Sequence, residues 1–171
     1  MYKYTKYIWV ALGVLFLQIF LLDNISIALI LRPMIFPIII LLLPIEWRAV
    51  WVILAAFVVG WIMDLSLGGA GLYIASLLPI APLRRTLIYI ISHLAVESSD
   101  QTGLLSRMTQ RQMIGYIALA LLLHHTLFLG LEALSLAAPM QLIATIVCST
   151  LLSTIVAMPI VRIFAKQLTT R

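Results

Sequence analysis

The sequence predicts an all-α membrane protein, a bundle of six transmembrane helices, and three observations lead there. First, 64% of the 171 residues are hydrophobic and only 10% are charged, with a mean hydropathy of +1.16. A soluble domain holds roughly 45–50% apolar and about 25% charged residues, so a water-facing fold has no place for this excess. Second, the apolar residues fall into runs of membrane-crossing length, about 20 residues of helix per crossing. Third, the basic residues sit between those runs and mostly on one side of them.

The first span covers Tyr7–Leu22 and extends past Asp23-Asn24 toward Leu31. Lys3 and Lys6 precede it as the basic region of a signal peptide would, but the apolar run is too long for one and no small-x-small site closes it. It is read as an uncleaved span. The second span, residues 33–45, is short and bracketed by Pro33, Pro37 and Pro44. The third runs over 49–67 and ends at Gly68-Gly69-Ala70-Gly71. The fourth, 72–92, is interrupted by Arg84 and Arg85. Either it is a short helix ending near Pro82 with an interfacial stretch behind it, or a longer helix with its arginines turned to the protein interior. Lipid-facing arginines at mid-depth are the least favourable arrangement, at about 2.5–3.5 kcal/mol each on insertion scales. After a polar loop, Glu97–Gln112, the fifth and sixth spans cover 113–131 and 140–164, the last with Pro159 near its end. The chain reads as a single membrane domain over residues 1–171.

Six spans with a cytoplasmic N-terminus place Lys3, Lys6, Arg48, Arg84, Arg85, Arg107, Arg111, Arg162, Lys166 and Arg171 inside, leaving Arg32 outside. Ten of the 11 basic residues then lie on one side, as the positive-inside rule expects. A five-span arrangement would export Arg162, Lys166 and Arg171. Both termini are therefore expected in the cytoplasm, and the net charge of +5 is explained by topology rather than by nucleic acid. Trp9, Trp47 and Trp51 read as interfacial belt residues, and the single Cys148 has no partner for a disulfide.

Few side chains offer chemistry. Asp64 lies between Gly60 and Gly68, with Gly71 beyond; glycines four residues either side share its helical face and admit a close neighbour. The functional reading is an interhelical polar clasp, or a proton or ligand site. The plainer reading is a carboxylate snorkelling at the outer interface. His124 and His125 with Glu132 form a second group, His125 and Glu132 two turns apart on one face. Adjacent histidines point about 100° apart, and an HExxH-type spacing is missing, so interhelical hydrogen bonding outweighs a metal or proton relay. Arg84 and Arg85 anchor the basic side or clasp lipid phosphate or another subunit. Gln18 reads as a helix–helix hydrogen bond. No nucleophile–base pair, Walker sequence or phosphate loop emerges, and no cofactor is called for.

Several stretches resemble the rod shape-determining protein MreD family. They are Leu17-Gln18 in the first span, Arg32-Pro33 opening the second and Pro44 closing it. Gly60-x-x-x-Asp64-Leu65 with Gly68–Gly71 follows, and then His124-His125 with Phe128 and Glu132. Where many members carry an acidic or polar residue after the proline, this chain has Met34. The resemblance implies a non-enzymatic inner-membrane scaffold of the cell-elongation machinery. It would bind the bitopic protein MreC and help control a SEDS glycosyltransferase and its class B penicillin-binding protein, with membrane lipids around it. It also implies a fold similar to the S components of energy-coupling-factor transporters, which supplies the rival reading, a vitamin-binding S component. Against that rival, the first span offers only Ala11 and Gly13 in place of an Ala-x-x-x-Ala docking surface. A third reading, an enzyme acting on a lipid-linked substrate, would require Asp64 to meet His124 or His125.

Overall fold

A computed structural model describes residues 2–24, 31–92, 108–133 and 139–169. The described secondary structure is helical, and five of the helical stretches are long and apolar enough to cross a membrane. The chain is thus a multi-pass membrane protein by the length and composition of its helices. The far part of the predicted first span (residues 25–30), most of the predicted polar loop (97–107) and Arg171 lie outside the described residues.

Helix α1, Tyr2–Phe16, passes directly into a π-helical stretch, Leu17–Leu22. Its end is closed by Asn24, whose Nδ2 donates to the carbonyls of Ile19 and Phe20 at 3.2 and 3.0 Å. The helix stops at Leu22, the nearer of the expected limits, where a side-chain amide takes its last carbonyls. Helix α3, Ala49–Leu67, has the limits the sequence predicts and ends on Gly68 at φ +68°, a left-handed position that glycine adopts without a Cβ penalty. Helices α4, Leu72–Leu77, and α5, Ile80–Ser92, are separated at Leu78-Pro79 and together make one crossing of 21 residues. Helix α6, Gln110–Ala133, begins with a reciprocal cap: Thr109 Oγ1 accepts from the Gln112 N–H, and Gln112 Oε1 accepts from the Thr109 N–H. Helix α7, Pro139–Thr169, opens on a proline, whose missing N–H costs nothing at the first helical position.

The predicted second span is where the structure departs from six regular helices. Residues 32–36 have no helical backbone, and only the five residues of α2, Ile38–Leu42, are helical before Pro44. The three prolines account for this. Each lacks an N–H, and each disfavours helix in the residue before it, so a run with prolines at 33, 37 and 44 retains barely one turn. The segment is nonetheless the centre of the protein. Ile35, Phe36, Ile38 and Ile40 have no exposed surface, and every residue from Pro33 to Leu43 is buried. Irregular backbone at membrane depth persists only where protein or water surrounds it, and here helices do. α1, α3, α5 and α7 all pack against α2, while α4, α5 and α7 pack against α6.

The exterior, unlike that of a soluble fold, is apolar, and a minority of polar side chains lies within an apolar core. Trp9, Phe16, Phe20, Trp51, Phe57, Trp61, Leu65, Leu151 and Ile155 are exposed, while Gln18, Ser76, Arg84, His124, His125, Ser149 and Ser153 are buried. A lipid solvent explains the outside. The inside is explained by the segment those polar groups surround.

Candidate functional site

Two ends of one buried segment collect most of the polar side chains. At its first end, extended backbone leaves N–H and C=O groups that no helix ladder satisfies, and buried groups of this kind cost about 1–3 kcal/mol each if left unpaired. Side chains from three helices take them. Gln18, brought inward on the π-helical turn of α1, donates through Nε2 to the Pro33 carbonyl at 3.0 Å and accepts from the Ile35 N–H at 2.7 Å. From α7, Ser149 Oγ accepts from the Arg32 N–H at 3.1 Å, and Ser153 Oγ accepts from the Met34 N–H at 2.9 Å. From α6, His125 Nε2 lies 3.3 Å from the Arg32 carbonyl and 3.4 Å from Ser153 Oγ, while Nδ1 lies 2.8 Å from the Leu121 carbonyl. The Arg32 side chain completes this end, donating from one guanidinium nitrogen to both oxygens of Glu132 at 2.5 and 2.6 Å.

His125 and Glu132 do act from one face of α6, as their spacing suggests, and what they share is Arg32: its carbonyl for one, its guanidinium for the other. Among the described residues, no group of three His, Cys, Asp or Glu side chains is placed to hold a metal ion. His124 turns elsewhere. Its ring is fully buried, packed edge-on against Phe36 at 5.0 Å and near Phe128 at 6.1 Å, and neither nitrogen makes a well-formed hydrogen bond.

At the other end of the segment the two arginines take over. Arg84, 1% exposed, donates from Nη1 to the carbonyls of Ile40 at 3.1 Å and Leu43 at 2.8 Å, and from Nη2 to that of Pro44 at 2.7 Å. These are the carbonyls left over where α2 stops, so the guanidinium works as a C-terminal cap whose charge also suits the negative end of the helix. Arg85, exposed, donates to the carbonyls of Ile45 and Trp47 at 3.0 and 3.2 Å. The question left open by the sequence is thus answered differently for neighbours: Arg84 is interior and Arg85 is at the surface, and the fourth span matches neither expected form, since it breaks at Leu78-Pro79 yet continues as α5 through both arginines to Ser92.

Gly60, Asp64, Gly68 and Gly71 come together as a separate unit, the corner between α3 and α4. Asp64 Oδ1 accepts from the N–H groups of Gly71 at 3.0 Å and Tyr73 at 3.2 Å, and Oδ2 accepts from Ile74 at 3.0 Å. The carboxylate therefore caps the first turn of α4, and its charge faces the positive end of that helix. Glycine is required beside it for two reasons. A Cβ on Gly69 would collide with the Tyr73 ring and meet Asp64 Oδ1 at 2.5 Å, and one on Gly60 would meet the Ile74 Cα at 2.8 Å. Gly71, at φ +92°, turns the chain into α4.

Sequence reasoning passed over Ser149 and Ser153. Their signal was present, two hydroxyls four residues apart and so on one face of α7, but serines at that spacing are common in membrane helices and name no partner by themselves. Tyr116, fully enclosed on α6 with an unpartnered hydroxyl, gave none.

Compared with protein-family models, with curated proteins and with solved structures, the chain matches none.

Proposed function

We propose that this protein is a non-enzymatic scaffold of the bacterial inner membrane, of MreD type, with both termini in the cytoplasm. It would bind a bitopic MreC-like partner and, through it, help regulate the peptidoglycan synthases of cell elongation. The observation that carries the reading is the use made of the interior. The centre of the bundle is filled by the protein's own residues 33–43, and Gln18, Ser149, Ser153, His125 and Arg84 are all engaged in holding that segment. An S component needs that centre for a vitamin. An enzyme acting on a lipid-linked substrate needs Asp64 and a histidine to converge on a reacting group. Here Asp64 is taken by three backbone N–H groups at the start of α4, and the ring nitrogens of His125 by the Leu121 carbonyl and by Ser153 and the Arg32 carbonyl. A body that spends most of its buried polar side chains on its own backbone and has an apolar exterior suits a scaffold that offers its surface to another transmembrane helix.

Affinity capture of the tagged protein from native membranes in mild detergent, read by mass spectrometry, tests this. Recovery of a bitopic partner together with cell-wall synthases is expected. Recovery of an ATPase pair with a transmembrane coupling protein would replace the scaffold with a transporter, and a bound vitamin would do the same.

A further inference from the structure

The bonds around His125 suit two protonation states of its ring, not one. Nδ1 lies 2.8 Å from the Leu121 carbonyl, an acceptor, so Nδ1 carries a proton in either state. Nε2 lies between two groups of opposite demand. Ser153 Oγ, at 3.4 Å, already accepts from the Met34 N–H and has its own proton to give, which a neutral ring receives on the Nε2 lone pair. The Arg32 carbonyl, at 3.3 Å, only accepts, and bonds to Nε2 when that nitrogen is protonated. A neutral ring is tied to α7 through Ser153. A protonated ring is tied to the buried segment through Arg32.

We propose that His125 is a proton-binding site that latches the first end of the buried segment: proton uptake moves the Nε2 bond from Ser153 to the Arg32 carbonyl. The groups facing the ring make the exchange local. The segment presents Arg32, whose guanidinium is held by Glu132 of α6; α7 presents the neutral Ser149 and Ser153. α6 itself adds His124, 5.8 Å away ring to ring, and the end of α1 presents the neutral Gln18 and, interacting with Gln18 and Arg32, the Asp23 carboxyl group. Glu132 and Arg32 form an ion pair, and the two carbonyls, each aimed at one ring nitrogen, are the acceptors that a protonated ring meets. Histidine is the side chain whose unperturbed protonation lies closest to neutrality, and intramembrane histidines are used as proton-linked elements for that reason. The latched end is also the end at which Gln18 grips Pro33 and Ile35, so the proton acts where the broken segment is most dependent on side chains.

The test uses the whole protein in lipid bilayers, with ring-¹⁵N histidine and with ¹³C-carbonyl arginine combined with ¹⁵N proline. Arg32-Pro33 is the chain's one Arg-Pro step, so that pairing isolates the Arg32 carbonyl. Nitrogen shifts separate the two neutral tautomers from the imidazolium, and loss of one set in His125→Gln assigns the residue. As the pH is lowered from about 8 to about 4, His125 is expected to gain a proton on Nε2, and the Arg32 carbonyl to move downfield with the same midpoint. Ser153→Ala removes the competing donor and is expected to raise that midpoint by about one pH unit, the equivalent of one hydrogen bond. A ring that stays neutral through the range, or one that gains a proton while the Arg32 carbonyl stays still, overturns the latch. A midpoint that is unmoved or lowered in Ser153→Ala overturns the competition. The Arg32 carbonyl is assigned in the unmodified protein by its Arg-Pro pairing, so whether it moves with pH is read without any variant.

Discussion

Arg84→Met offers a quantitative test of the claim that one guanidinium holds the far end of the segment. Methionine has similar length and no polar group, so the substitution removes three hydrogen bonds, of 3.1, 2.8 and 2.7 Å, while keeping most of the packing. Hydrogen bonds to a charged donor contribute about 1.5–3 kcal/mol each, so the gross loss is about 5–9 kcal/mol. Against it stands relief from burying a cation that is only 1% exposed, a term worth several kcal/mol. The net expectation is a destabilisation of about 2–4 kcal/mol, a large share of the stability of a domain this size. Arg84→Lys keeps the charge but replaces a planar fork by a point donor, and is expected to fall between wild type and Met. Arg85→Met, removing two bonds from an exposed side chain, is expected to cost about 0–1 kcal/mol. Reversible unfolding in mixed micelles, followed by tryptophan fluorescence, orders the variants. Equal stability of Arg84→Met and Arg85→Met would refute the reasoning, because the two would then differ in burial without differing in energy.

Gln18→Leu strips the donor from Pro33 and the acceptor from Ile35 and is expected to cost about 2–3 kcal/mol in the same unfolding assay, with faster amide exchange at Ile35 as its local signature. Gly60→Ala sets a methyl 2.8 Å from the Ile74 Cα, forcing α3 and α4 apart; a loss of about 1–3 kcal/mol is expected, and no loss would mean the two helices can separate freely. In Arg32→Ala, Glu132→Ala and the double variant, a coupling of about 0–1 kcal/mol is expected, since the side chains are 49% and 37% exposed; a coupling above about 2 kcal/mol would show a drier environment than the exposure implies.

Much of the fold was legible because lipid simplifies the code. A crossing demands a long apolar helix, and the limits of α3, Ala49–Leu67, follow from its run and from the glycines behind it. What the sequence did not disclose is the second crossing. Pro33, Pro37 and Pro44 announced that it would be irregular, yet residues 33–45 still counted as a span, because hydropathy measures transfer into an apolar medium and a protein interior satisfies it as well as lipid does. The same degeneracy hid the difference between adjacent Arg84 and Arg85. The side chains of the site were mostly visible as misfits: Gln18, Asp64, Arg84 and the two histidines are polar residues inside apolar runs. Their partners were not visible, since most are backbone groups of residues 32–44, and a backbone carbonyl carries no signature in a sequence.

That distinction bears on how Asp64 is to be tested. On the scaffold reading, the glycines around Asp64 make a face for a partner helix, and Asp64→Leu would weaken the complex while leaving insertion intact. In the structure the carboxylate is spent inside the chain, on the N–H groups of Gly71, Tyr73 and Ile74, and Gly60 lies against Ile74 rather than open to a neighbour. Asp64→Leu therefore leaves three donors at the start of α4 unpaired, at about 1–2 kcal/mol for the lost cap. Asp64→Asn keeps an oxygen for Gly71 and Tyr73 and is expected to lose less than half of that. Partner capture and stability should then fall together across wild type, Asn and Leu, because the residue acts by shaping the α3–α4 corner. Were capture lost in Asp64→Asn with stability unchanged, Asp64 would touch the partner directly, and the corner would be the docking face itself.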